Sequence, residues 1–490
     1  MRAVFRSALC FTITTLAAAA GAQTTDFVGV ISDEVPPAPV SQGVFHVRLT
    51  DNSAPNTDVV VVRGQFRGLA SPYAASRIRS TATGALLQAL APGVAADGRS
   101  GGWGADLNTF TVSDAVSAAI QGGTATVEVT TDAQPAGAVR GRPRPLGVTV
   151  DGLVTESAYV TLATKQNANA GFGPAIDVAS VRVFLGDPAQ QFAVVAVAGR
   201  LNTGSNDGIG LLLGAQGTGT PAGTALGGTP GAGHFLGATE HPGFKADFPV
   251  ALALALNPGG GTQSVFVDAV AFPGTPSARA GYLGAAAQDG GVAVGPPDQT
   301  AGTGPVADVL FAFRNDGATG SGFEIVLPRS ALGFPVPVSL AATPGRITAS
   351  AFVVSATAFF SDVTVPGNVT GGNLGFDPNF GTLAGGPFSA TGGGFTALSE
   401  APRGASVLRL AGPNPAGMRT RLVLTLAAAQ PVRVDLLDAL GRTVAVLHDG
   451  PAAAGETEIG VDVSALPAGV YGVRVAGASV RAAQRLTVAR

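Results

Sequence analysis

The side chains able to do chemistry in this 490-residue chain are few and scattered. It has four histidines, His46, His234, His241 and His448, and a single cysteine, Cys10. His234 and His241 flank Glu240, but their spacing is not the His-Glu-x-x-His that sets two imidazoles on one helical face. Their surroundings, Gly231 to Gly243, read as a Gly-rich loop. Oxygen ligands are better grouped. Asn202-Thr203-Gly204-Ser205-Asn206-Asp207-Gly208 crowds side-chain oxygens into one loop, as a calcium site does. The loop lacks the Asp-x-Asp-x-Asp spacing, however, and Leu213 sits where an EF-hand loop needs its bidentate Glu. The loop joins two apolar strands, Phe192–Val197 and Ile209–Leu213, so a plain hairpin loop explains it. Asn373, Asp377 and Asn379 form a second such cluster, and calcium is the one cofactor that either loop suggests. Arg77 and Arg79 share one strand face and can hold a carboxylate or a sulfated sugar; two solvated arginines are the plainer reading.

Catalytic constellations are missing. There is no Gly-x-Ser-x-Gly elbow, no phosphate-cradling loop ending in Gly-Lys-Ser/Thr, and no dinucleotide fingerprint. Paired carboxylates serve glycosidases, but Asp177, Asp187, Asp247, Asp268 and Glu324 show no spacing that selects two of them. Sugar platforms are built from exposed aromatics. Tyr159, Phe172, Tyr282, Phe359 and Phe360 are available for one, with core packing the alternative, while the lone Trp103 reads as part of a Gly-rich turn.

The elements that must carry these residues are strands. Period-two runs recur at Gly43–Leu49, Val181–Leu185 and Val432–Leu437, the alternation of half-buried antiparallel strands. Only Val112 to Ile120 hints at a helix. Gly 70 and Pro 34 punctuate the chain at the frequency of many short turns. The expectation is an all-β chain of three β-sandwich or β-barrel-like modules in tandem, and the length fits about three domains. Net charge is −3, so no basic field draws in nucleic acid.

The N-terminus reads as an export signal. Arg2 and Arg6 precede an uncharged apolar run, Ala8 to Gly21, closed by the small-residue pattern Ala20-Gly21-Ala22. Residues 1–22 are therefore expected to be cleaved as a signal peptide, leaving Gln23 first. Cys10 leaves with them, which excludes disulfides and thiolate chemistry from the mature protein. No later apolar run is long enough to span a bilayer; Val250 to Leu256 is far too short.

Three resemblances organise the rest. Residues 25–147 carry Glu34-Val35-Pro36-Pro37, Gly64-Gln65-Phe66-Arg67-Gly68, Arg77-Ile78-Arg79 and the ending Pro135-Ala136-Gly137-Ala138-Val139-Arg140-Gly141, and this order resembles a CHRD domain. The family has a His-Ile-His triplet where Arg77-Ile78-Arg79 stands, and a His where Thr130 stands. Arginine has no free lone pair and stays protonated, so a metal or acid–base role implied by those histidines is not carried over. Residues 148–395 open on Asp151-Gly152 and later present Gly322-Phe323-Glu324-Ile325-Val326-Leu327-Pro328. That pairing resembles family 9 carbohydrate-binding and DOMON-like β-sandwiches. After a linker at 396–410, residues 411–490 carry Gly412-Pro413-Asn414-Pro415 and Leu466-Pro467-Ala468-Gly469-Val470-Tyr471. They resemble the C-terminal sorting domain of type IX secretion, an immunoglobulin-like module. That resemblance implies the type IX secretion machinery as partner and the outer-membrane surface or the medium as destination. The sequence thus favours a non-catalytic adhesion or glycan- and matrix-binding protein; the alternative is a polysaccharide hydrolase acting through the middle module.

Overall fold

The computed structural model describes residues 22–32, 42–52, 54–185, 192–215, 219–259, 263–272, 278–295, 306–332, 346–392, 407–410, 416–426, 430–437, 443–453, 455–477 and 481–489. The expected signal peptide (save Ala22), Glu34–Pro37, Asp187, most of the linker and Gly412–Pro415 lie outside them. The chain divides into two compact units, 1–395 and 396–490. It is all-β.

The first unit begins with one eleven-stranded antiparallel sheet curled into a half-barrel. Its long strands run in the spatial order Leu86–Leu90, Tyr73–Ser80, Ala125–Thr131, Gln134–Gly141, Gln23–Ser32, Gln42–Asp51 and Asp58–Arg67. Strand alternation divides its side chains cleanly. Phe27, Phe45, Val47, Val60, Val62, Ile78, Val127 and Val129 point into the curl and form its core. A single helix, Asp114–Gln121, closes the curl with Val116 and Ile120. It sits where the Val112–Ile120 periodicity suggested one. Trp103 is not in an open turn: it lies on the short Gly101–Trp103 strand, is buried, and donates from Nε1 to Ser76 Oγ at 2.9 Å. The indole nitrogen needs that partner once the ring is out of water.

The outer face of the same sheet is treated differently along its width. Val28 and Val44 pack against Val148, Val150, Val194, Ala196, Leu310, Ala312 and Val326 of the following region, in one shared apolar cluster. The described strands from Val160 to Gly392 build a sandwich on that surface. Its six-stranded sheet runs Val160–Thr164, Asp177–Phe184, Phe192–Arg200, Gly322–Pro328, Val309–Phe313 and Ala293–Gly295. An eight-stranded sheet lies opposite, with Arg279–Ala287 at one end of its order, then Ser264–Ala271, Leu252–Asn257, Gly208–Ala215 and Ile347–Val354. Val181, Val195, Leu211, Leu254, Phe311 and Phe323 fill the space between the sheets. The far side of the eight-stranded sheet carries a second, phenylalanine-rich layer, in which Phe235, Phe244, Phe352, Phe360 and Phe388 are wholly buried.

One loop expectation is corrected. Asn202–Gly208 does not close a hairpin, because Phe192–Arg200 belongs to the six-stranded sheet and Gly208–Ala215 to the eight-stranded one. It is an arch between sheets. Asn315 holds it, accepting from Leu201 N at 3.1 Å and donating to Leu201 O at 3.0 Å. The second unit has sheets of three and four strands, seven in all among the described residues, closed over Leu422, Leu424, Val434, Leu436, Val473 and Leu486. Tyr471 donates to Pro467 O at 2.9 Å and pins the Leu466–Tyr471 segment.

Candidate anion-binding site

Glu128 lies in the Ala125–Thr131 strand, whose odd positions enter the half-barrel core and whose even positions face outward. Arg77 stands directly opposite Glu128 on one neighbouring strand and Arg140 directly opposite it on the other. Arg79, two residues along from Arg77, reaches the same carboxylate diagonally, as neighbours on one sheet face do. Arg77 donates from Nε at 2.9 Å and from Nη2 at 2.5 Å to Oε1. Arg79 Nη1 lies 3.5 Å and Arg140 Nε 3.7 Å from Oε2. The carboxylate is only 3% exposed, so it takes three cations to hold its charge away from water. Arg77 and Arg79 are therefore neither loose on the surface nor an isolated pair; they belong to a fan of arginines built on one buried acid.

The fan extends beyond Glu128. Arg142 and Arg144 continue the outward positions of Arg140, are exposed, and make no ion pair among the described residues. Arg79, Arg140, Arg142, Arg144 and Glu128 border a cavity of about 600 Å³, which Phe192 of the sandwich helps to line. Among the described residues the lining brings four guanidiniums and one carboxylate together, in a protein whose overall charge is −3. The hydroxyls of Ser80, Thr81 and Thr126 line the same space. Arginine's planar fork matches carboxylate and sulfate oxygens two at a time. The arrangement is suited to an anion that carries several acceptor oxygens. Sequence reading missed Glu128, Arg140, Arg142 and Arg144. The signal of the three arginines was present as Arg140-Gly141-Arg142-Pro143-Arg144, a spacing of two that begins inside the Gln134–Gly141 strand.

The other expected site residues are placed apart from this cavity. Asn202 Oδ1 accepts from Gly204 N at 3.0 Å, and Asp207 N donates to Ser205 Oγ at 3.3 Å. The carbonyl of Asn206 meets His234 Nε2 at 2.8 Å. Asn373 Oδ1 accepts from Asp362 N at 3.2 Å, and Asp377 Oδ1 from Gly243 N at 2.5 Å. One side-chain oxygen each of Asn202, Asn373 and Asp377 thus accepts from a backbone N–H. Among the described residues no group of three or more His, Asp or Glu is arranged to hold a metal ion. Thr130, at the family's histidine position, donates to Ala75 O at 3.2 Å.

The carboxylates weighed for hydrolysis have separate employments. Asp177 pairs with Lys165 at 2.7 Å, and Asp247 accepts from Phe388 N at 2.9 Å. Glu324 is wholly buried and accepts from Asp151 N at 2.8 Å, Gly152 N at 2.7 Å and the Tyr159 hydroxyl. The Asp151-Gly152 opening and the Glu324 strand, distant in sequence, are therefore two halves of one latch. Burial raises the Glu324 carboxyl to about 8 and, with Glu324 beside it, raises the Tyr159 hydroxyl as well.

A chain of this construction is a tandem β-module protein with an export tail, and comparison with known families gives the two end modules. Residues 30–142 are a CHRD domain, and residues 413–489 are a secretion system C-terminal sorting domain of the type IX kind. The tail places the protein among those handled by the type IX secretion machinery and delivered to the cell surface or beyond it. No helix among the described residues is long and apolar enough to cross a membrane. No curated protein matches the chain. Among solved structures, domains 1–6 of surface layer protein SbsC align at 12% identity over 89% of this chain and 53% of that one, with a TM-score of 0.13. A Salmonella alpha-2-macroglobulin mutant aligns at 9% identity over 96% of this chain and 44% of that one, with a TM-score of 0.15. The eight N-terminal Ig domains of Down Syndrome Cell Adhesion Molecule align at 10%, over 96% and 58%, with a TM-score of 0.14. This chain spans about half the length of these structures, and nothing below rests on them.

Proposed function

We propose that this protein is a non-catalytic, surface-displayed binding protein that holds an anionic extracellular glycan or matrix polymer in the arginine-lined cavity of its CHRD domain. The observation that carries the reading is that Arg142 and Arg144, exposed and in no ion pair among the described residues, line with Arg79 and Arg140 a cavity large enough for a sugar residue and its charged group. A purely structural ion pair has no use for Arg142 and Arg144. The sorting domain supplies delivery to the place where such polymers are met.

Binding of the mature chain to dextran sulfate and to polygalacturonate, with uncharged dextran as control, tests the proposal. Both polyanions should bind and the control should not, with affinity falling as salt rises because the contacts are exposed charges. Replacing Arg142 and Arg144 together by Ala should weaken binding at least about tenfold, since two charge-assisted contacts are lost. Equal binding by the double variant would overturn the assignment. Delivery is tested separately: a chain lacking Ala411 to Arg490 should accumulate in the periplasm with its first unit folded.

A further inference from the structure

A second cavity, of about 740 Å³, lies on the outer face of the half-barrel, toward the opposite end of its sheet from the arginine fan. Arg63, Gln65 and Arg67 alternate with the core residues Val62 and Phe66 along Asp58–Arg67, which turns all three outward. Gln65 stands opposite Gly102 on Gly101–Trp103, and Gly102 stands opposite Gly93 on Gly93–Val94. A polar strand thus gives way to two positions that present no side chain at all. Val292 and Val294 of the following region line the same space.

Packing explains only part of this glycine floor. A Cβ at Gly101 would meet Gly93 O and the Phe66 ring at 2.7 Å, and one at Gly102 would come within 3.1 Å of Gly64 O. At Gly93 the nearest atom would be Gly102 O at 4.0 Å, and the backbone there has no positive φ, so a larger residue fits. Glycine weakens a strand and marks places where a ligand or another backbone comes close. The polar strand is unevenly satisfied. Arg67 is paired with Asp308, and Gln65 Nε2 donates to Gly295 O at 3.3 Å. Arg63 is half-buried, and its Nη1 lies out of water with no acceptor. A guanidinium nitrogen left in that state is costly until an anion arrives.

We propose that this cavity binds a small monocarboxylate with a flat apolar body, its carboxylate on Arg63 and its body on the floor of Gly93 and Gly102. With Arg67 matched by Asp308, Arg63 is the one cation of the described lining that has no ion pair. A guanidinium takes both oxygens of a carboxylate at once. Asp97, the one acid of that lining, accepts from Arg99 N at 2.8 Å and Ser100 N at 3.1 Å, and it disfavours a ligand with a second negative charge. Bare peptide planes let a ring lie flat where a side chain would hold it away. An apolar surface with one placed charge is the usual make-up of a small-molecule site of this size. The arginine cavity suits polyanions; this one suits a single charge.

Isothermal titration calorimetry of the full mature chain with benzoate, 2-naphthoate and indole-3-acetate tests the proposal, with 2-naphthamide as the uncharged control. At least one carboxylate should bind and the amide should not. Arg63→Gln should weaken binding at least about tenfold, as the loss of a charge-assisted pair does. The same variant should not lower the midpoint of chemical denaturation, because no acceptor is lost with the guanidinium. Gly93→Val should fold as the parent does and fail to bind, since its side chain fills the floor. The Arg142→Ala, Arg144→Ala double variant should bind as the parent does. Absence of binding by all three carboxylates, equal binding by the amide, or undiminished binding by Arg63→Gln would overturn the assignment. So would loss of binding in the double variant, which would put the ligand in the first cavity.

Discussion

Two halves of one sheet face solve the burial of a carboxylate in different ways. On the half covered by the sandwich, Asp26 is wholly buried and fully matched. Arg48 donates to it twice, at 2.8 and 2.7 Å, Val150 N donates at 2.8 Å, and His46 Nε2 lies 3.1 Å away. Arg48 also donates to Val150 O at 2.8 Å, so the acid, the base and the next module's backbone close a ring of contacts. Despite its burial, His46 and Arg48 hold the Asp26 carboxyl far below its ordinary range. On the uncovered half, Glu128 is as deeply buried but over-matched, with two further arginines beyond its reach. Balanced charge closes a seam.

This comparison can be broken most forcefully at Asp26. Asp26→Ala strands Arg48 and His46 in the seam and should cost about 3–5 kcal/mol, the range for breaking a buried pair from one side. Chemical denaturation, following the transition of the first unit, measures it. Next in size is the dependence on pH, because two groups at the same seam act with opposite signs. Asp26 is lowered, so its contribution is present above the usual carboxylate value of 3.8 and lost as pH falls below it. Glu324 is raised, so its contribution is complete below about 4.5 and lost as pH rises through about 8. Thermal unfolding should therefore show a maximum between these limits, and Glu324→Gln should flatten only its alkaline side.

Smaller effects sharpen the contrast. Glu128→Gln keeps hydrogen-bond acceptance but removes the charge that gathers the arginines, and should cost roughly 1–2 kcal/mol, less than Asp26→Ala. Were the two losses equal, the uncovered half would be structural as well. Least of all, the Arg142→Ala, Arg144→Ala double variant should leave stability within about 0.5 kcal/mol, as exposed side chains without ion pairs do. A large loss there would mean that those arginines support the fold.

Much of this architecture was legible because alternation and turn residues are local signals. Phe45, Val47 and Leu49 announce a strand without reference to anything distant, and both end modules carry long specific segments. The site was only half legible. Arg77 and Arg79 drew attention as neighbours on one face, but their meaning depends on Glu128, which enters from a strand about fifty residues later, and no local pattern records which strands adjoin. The Asp151-Gly152 and Glu324 landmarks were visible for the same reason and opaque for the same reason: each is a short motif, while their hydrogen bonds are a fact of topology. His46 falls within the alternating Gly43–Leu49 run, which by itself places it across from a residue of a neighbouring strand. That description is accurate as far as it goes, since Asp26 lies on the adjacent strand; the arrival of Val150 could not be read from either.

The shared cluster of Val28 and Val44 with Val194, Leu310 and Val326 also decides where this chain can be cut. A fragment ended at residue 142, where the CHRD match stops, would expose the apolar half of its outer face and open the Asp26 ring to water. It would be a sticky fragment of a larger body. Arg67, which grips Asp308 at 2.6 and 2.9 Å, would lose its partner as well. Dissection into working parts should therefore respect the division after residue 395 and no earlier one, because the segment that the CHRD family model matches is smaller than the compact unit that contains it.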